Sequence, residues 1–123
     1  MSGDYTLVDV EDPAADVDDA GTRQIDLTDQ LGTTEIAARM WYLSPGEDIT
    51  YHRETAQEEL YYMVDGPGRM RIDGELIDVP EGAIVRLPPE TPRQPLNDTE
   101  DEEHVWLILG APAEKNEAEY LEV

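Results

Sequence analysis

The stretch Gly46–Gly66, GEDITYHRETAQEELYYMVDG, carries the reading of the fold. Its first half alternates Ile49, Tyr51 and Arg53 with Thr50, His52 and Glu54, and its second half alternates Glu59, Tyr61 and Met63 with Leu60, Tyr62 and Val64. A period of two marks strands, in which residues two apart share a face. His52 and Glu54 therefore point the same way, and Glu59, Tyr61 and Met63 share a face of the next strand. With both faces turned inward, an imidazole, two carboxylates and a phenol meet in one interior. The nitrogen and oxygen donors of His52, Glu54 and Glu59 suit one divalent first-row ion, Fe, Mn, Ni or Zn.

On either side of this stretch the chain continues in short strands. Glu35–Leu43 is apolar and aromatic and stops at Ser44, Pro45 and Gly46. Arg69–Ile72 and Glu75–Val79 flank Asp73-Gly74, the strongest hairpin signal in the chain. Ala83–Leu87 ends at Pro88 and Pro89, and Arg93–Asn97 and His104–Leu109 follow around an acidic loop. Strands of this length, turn residues every eight to twelve positions and no amphipathic helix make the domain all-β. A closed barrel or double-sheet jelly roll buries such alternating faces and removes exposed edges. Residues 1–22 read as an acidic, partly flexible arm, with a short edge strand around Thr6–Val10. Residues 23–111 read as the barrel, and 112–123 as a tail or short helix.

The composition sets limits on partners. The 123 residues suffice for one domain. Thirty acidic residues against eight basic ones give a formal net charge of −22, and Lys115 is the single lysine. Repulsion on that scale is tolerated where salt screens it, so a halophilic, salt-rich cytoplasm accounts for both the acid excess and the missing lysines. The same charge argues against nucleic acid and anionic membrane as partners. There are no cysteines, which excludes disulfides and thiolate chemistry. No apolar run is long enough to span a bilayer. Met1–Asp9 lacks the basic start and apolar run of a secretory signal, so a cytoplasmic location is expected.

The spacing Gly46, His52, Glu54, Glu59, Gly66 resembles the first motif of the cupin family, which usually reads Gly, His, His, Glu, Gly at those intervals. A second motif is matched from Gly82 through Pro88, with Glu90 where glycine is usual, Arg93 where histidine is usual, and Asn97 in register. A rival start at Gly74 matches Pro80 and Gly82 but leaves Val85 at the ligand position. The resemblance covers roughly Gln24–Ala111 and implies a double-stranded β-helix barrel, a homodimer, and a metal held by three histidines and one glutamate. Here the corresponding set is His52, Glu54, Glu59 and Arg93. A carboxylate at position 54 still donates to a cation, whereas the guanidinium of Arg93 stays protonated and has no lone pair.

Three functional readings follow. In the first, the pocket is modified and can be metal-free: Arg93 replaces the ion by bridging the two acids, and the barrel binds a small molecule. In the second, His52, Glu54 and Glu59 ligate a metal in a dioxygenase- or isomerase-type enzyme. Arg93 then orients an anionic substrate, and Tyr61 acts as acid, base or orienting group. In the third, the barrel is structural or a storage protein with a filled interior. His104, at a strand start beside Glu103, is expected at the surface. Tyr51 and Tyr62 are expected to face outward, Trp41 and Trp106 to belong to the core, and Arg39 and Arg71 to pair with surface carboxylates. No phosphate loop, nucleophile elbow or helix-turn-helix segment is present.

Overall fold

The computed structural model describes residues 4–10, 16–17, 23–113 and 118–123. Their strands are β1 (Asp16–Val17), β2 (Arg23–Asp26), β3 (Ala37–Leu43), β4 (His52–Glu54), β5 (Glu58–Asp65), β6 (Gly68–Ile72), β7 (Glu75–Val79), β8 (Ile84–Leu87), β9 (Arg93–Leu96), β10 (His104–Ala111) and β11 (Ala118–Tyr120). Two antiparallel sheets face each other, ordered β1-β2-β3-β10-β5-β8 and β11-β4-β9-β6-β7. The all-β jelly-roll architecture expected from the alternation is what forms. At the β6–β7 hairpin, Asp73 and Gly74 both take positive φ, 48° and 85°, the turn whose twist matches that of the strands.

The core follows from the period-two pattern. On β5, Glu59, Tyr61 and Met63 are buried while the residues between them are exposed. On β10, His104, Trp106, Ile108 and Gly110 turn inward. These meet Leu43, Ile49, Met70, Val79 and Leu87 between the sheets. A second cluster, Ile25, Leu27, Ala38, Met40 and Tyr42, lies on the other face of β2 and β3. Val8 and Val10 pack against it, so this part of the N-terminal segment is a cover rather than an edge strand.

Several local expectations change. A five-residue helix α1 (Leu27–Leu31) sits where no helix was anticipated; Asp26 caps its start through Thr28 N, and Gly32 closes it at a φ of 71°. Residues 118–120 form a strand on β4 rather than a helix. His104 is fully buried rather than at the surface, because Gly68 has no side chain where a Cβ would lie 3.0 Å from His104 Nδ1. Tyr51 is buried too, its hydroxyl accepting the Gly74 N–H at 3.2 Å, whereas Tyr62 does face outward. Trp106 is buried in the core and Trp41 is half-buried against it. No helix among the described residues is long and apolar enough to cross a membrane.

Candidate functional site

β4 and β5, one from each sheet, bring the donors of the Gly46–Gly66 stretch together. One ligand atom from each of His52, Glu54 and Glu59 lies within 4.8 Å of the others, and all three residues are buried. Arg53, between His52 and Glu54, turns away and donates to Glu119 on β11 at 2.9 and 3.1 Å.

His52 is held in a defined tautomer. Its Nδ1 lies 2.7 Å from the Thr50 carbonyl oxygen. A carbonyl can only accept, so Nδ1 carries the proton and the Nε2 lone pair is left facing Glu54 Oε2 at 3.5 Å. Glu59 is oriented from below in the same strand, with the Tyr61 hydroxyl donating to its Oε1 at 2.9 Å. Burial holds the His52 imidazole below its ordinary pKa, partly offset by the Thr50 carbonyl and the Glu54 charge. Burial and then the Glu54 charge push Glu59 up to about 7. Two carboxylates sharing a dry site cannot both ionise easily without a cation between them. Tyr61 is driven well above its ordinary value, first by burial and then by the Glu59 charge, so its hydroxyl stays a donor.

Arg93 stands beside this cluster without joining the two acids. His52 and Arg93 are paired across β4 and β9, and the guanidinium is fully buried. Its Nη2 donates to the Pro88 carbonyl at 2.7 Å and its Nη1 to the Pro89 carbonyl at 3.3 Å. Nη1 comes only within 3.6 Å of Glu59 Oε1, beyond hydrogen-bond length, and Nε has no hydrogen-bond partner. Of the two acids that the sequence reading placed around this guanidinium, Glu59 is the one it pairs with. The Pro88 and Pro89 carbonyls also accept the Thr91 and Glu54 N–H groups, at 3.4 and 2.9 Å, so Arg93 is tied into a turn that the backbone already holds.

A cavity of about 610 Å³ opens over the cluster. His52, Glu54, Glu59 and Tyr61 line it together with Arg39 and Trp41 from β3, and Arg93 is not among its lining residues. Three contributors escaped the sequence reading. Tyr120, in what reads as a polar tail, places its ring 6.4 Å from that of His52. Gln57 is buried and lines the cavity. Gly110 lies opposite Glu59 across β10 and β5, where a Cβ would stand 2.7 Å from Gln57 Oε1 and 3.3 Å from Glu59 Cγ. A glycine inside an otherwise apolar strand was the available signal for that close approach. Asn97 is structural: its Nδ2 donates to the Leu43 and Glu102 carbonyls at 2.9 and 2.6 Å.

Comparison with known proteins agrees with this architecture. The family model described as Cupin domain matches residues 39–110. A cupin protein of Bacteroides fragilis superposes with a TM-score of 0.73 at 24% identity, covering 99% of this chain and 92% of that one. A sugar phosphate isomerase from a cupin superfamily of Silicibacter pomeroyi gives 0.75 at 20% identity, over 85% and 68% of the two chains. A salicylate 1,2-dioxygenase of Pseudaminobacter salicylatoxidans gives 0.65 at 20% identity, over 73% and 27%. An uncharacterized protein of Methanocaldococcus jannaschii is 35% identical over 49 residues, which is 40% of this chain and 39% of that relative's length.

Proposed function

Because the chain belongs to the cupin family, we propose that it is a metal-dependent barrel in which His52, Glu54 and Glu59 hold one divalent first-row ion and the cavity above them takes a small molecule. The observation that carries this reading is the His52 tautomer: the Thr50 carbonyl commits Nδ1 as donor and leaves Nε2 to ligate. Three donor atoms within 4.8 Å are close enough for one ion with bonds of about 2.1 Å, after small carboxylate rotations. A neutral imidazole beside two acids also leaves negative charge for a cation to neutralise. Such an ion supplies Lewis acidity or redox chemistry when bound.

The remaining residues have supporting roles. Tyr61 fixes Glu59 by its hydrogen bond and, since it also lines the cavity, can meet a bound molecule. Arg93 acts through Glu59 and the Pro88–Pro89 turn as a positioning residue, its buried charge biasing Glu59 toward the ionised form. The metal-free reading needs a guanidinium bridging both acids, and Arg93 pairs with Glu59 alone, at 3.6 Å and without a hydrogen bond. A structural barrel would have a filled interior, and the 610 Å³ cavity weighs against it. The enzymatic descriptions of structural neighbours at 20% identity support the fold and leave the substrate open.

Elemental analysis of the full chain purified without chelator tests the reading. Close to one equivalent of first-row metal is expected, with Glu59→Ala losing most of it. Substoichiometric metal that Glu59→Ala leaves unchanged would overturn the ligand set.

A further inference from the structure

The cavity contains one feature that the metal reading leaves unused. Cross-strand pairing lays Asp26, Arg39, Ile108 and Tyr61 in one row across β2, β3, β10 and β5. Arg39 therefore stands on the inner face, lining the cavity that His52 and Glu59 also line. Its charge already reaches those two residues, which both respond to it.

In so acidic a chain an arginine is expected to have a carboxylate partner, and the others do or are otherwise engaged. Arg23, Arg53, Arg69 and Arg86 pair with Glu103, Glu119, Asp98 and Glu58. Arg71 donates to Gln94 at 3.2 Å, and Arg93 is held by the two proline carbonyls. Among the described residues, Arg39 alone of the seven arginines has neither an ion pair within 4 Å nor a hydrogen bond. The absence is not for want of a neighbour. Asp26 is its direct cross-strand partner, but the Asp26 carboxylate is turned to cap α1 through Thr28 N at 3.0 Å. Asp29 and Asp48 share the cavity with Arg39 and likewise stay beyond ion-pair distance.

We infer that Arg39 binds the anionic group, a carboxylate or a phosphate, of the small molecule that occupies the cavity. The inference rests on reading that cavity as a ligand site. A guanidinium with both edges available is the side chain that takes such a group through two parallel hydrogen bonds. Its position fixes the ligand's polarity. The anionic end lies toward β3, and the opposite end reaches the acids of β4 and β5, where an anion without a metal would be repelled. Trp41 is two residues along the same face and is held by its Nε1 donating to Gln24 Oε1 at 2.8 Å, so it offers a fixed aromatic wall beside the anionic end.

Titration calorimetry on the full chain at constant ionic strength tests this, with oxalate and inorganic phosphate as probes and oxamide as the uncharged control. Wild-type protein, loaded with Mn²⁺, is expected to bind at least one of the two anions and to prefer oxalate over oxamide if the carboxylate is the source. Preference for phosphate identifies the other source. Arg39→Met should weaken the bound anion about tenfold or more, the loss expected for a charge-assisted pair. Arg39→Lys should recover part of that loss, and Mn²⁺ stoichiometry should not change in either variant. Unaltered anion affinity in Arg39→Met, or no anion binding to wild type, overturns the inference and leaves the metal reading standing. Arg39-dependent anion binding to a protein that takes up no Mn²⁺ overturns the metal reading and supports the inference.

Discussion

Glu59 is the residue on which the chemistry of the site turns, because its proton and a metal ion compete for the same oxygens. With burial and Glu54 raising its pKa to about 7, the carboxyl is substantially protonated in the metal-free protein at neutral pH. The metal needs it ionised, so metal binding below about pH 7 must expel a proton. Calorimetry in buffers of different ionisation enthalpy should therefore show close to one proton released at pH 6 and nearly none above pH 8, with affinity falling as pH drops. In Glu59→Gln the pH-dependent release should largely vanish; a release that stays the same would assign the proton elsewhere. His52 also binds a proton more weakly than usual because it is buried, so it adds little to this exchange near neutrality. Gly110 offers a second probe at the same scale. In Gly110→Ala the new methyl group meets the flexible end of Gln57 and the Glu59 Cγ. The fold should survive with about 1–3 kcal/mol lost, while metal affinity drops because Glu59 is displaced. Unchanged affinity would mean that Gln57 gives way instead and the Glu59 carboxylate keeps its place.

Among the elements, β4 carries two of the three donors yet has little of its own to hold it in place. It pairs with β9 at a single position, His52 opposite Arg93, and with β11 at three. The Leu121 N–H extends that seam, donating to the Tyr51 carbonyl at 2.8 Å. A chain ending after residue 113 should therefore fold its core but loosen β4. Amide exchange at Arg53 should accelerate about tenfold or more, since local opening there no longer breaks the β11 ladder, and metal affinity should fall with it. Exchange at Arg53 matching that of the full chain would show that β9 alone anchors the strand. The same seam explains what could be read in advance. The donors and their shared faces were legible because period two maps directly onto side-chain direction, and Asp73-Gly74 was legible because its turn demands positive φ. β11 was not, since Ala118, Glu119 and Tyr120 carry no alternation and become a strand only because β4 presents an open edge. α1 was hidden for a related reason: at five residues it is too short to show a helical period, and its Asp26 cap is also the last residue of β2. His104 was misplaced because its burial depends on a glycine 36 positions away.

For the whole molecule the dominant fact is a net charge of −22 on 123 residues. Folding brings these charges closer together than they are in the open chain, so their repulsion opposes the folded state. Among the described residues four exposed ion pairs, Arg23–Glu103, Arg53–Glu119, Arg69–Asp98 and Arg86–Glu58, act in the opposite sense and are weakened by salt. They involve only four of the thirty acids, so the repulsive balance wins and added salt should stabilise the protein. Screening length falls from about 10 Å at 0.1 M to about 3 Å at 1 M, which removes most repulsion between surface carboxylates. Relief of a few kcal/mol corresponds to a rise in Tm of roughly 5–15 °C for a domain of this size. Thermal melts in KCl should rise steeply at low concentration and level off near 1 M. A steady linear gain to higher concentration, or the same gain from an uncharged osmolyte, would point to solvent exclusion rather than screening. A Tm that is flat or falls between 0.1 and 1 M KCl would remove the electrostatic account of the acidic composition.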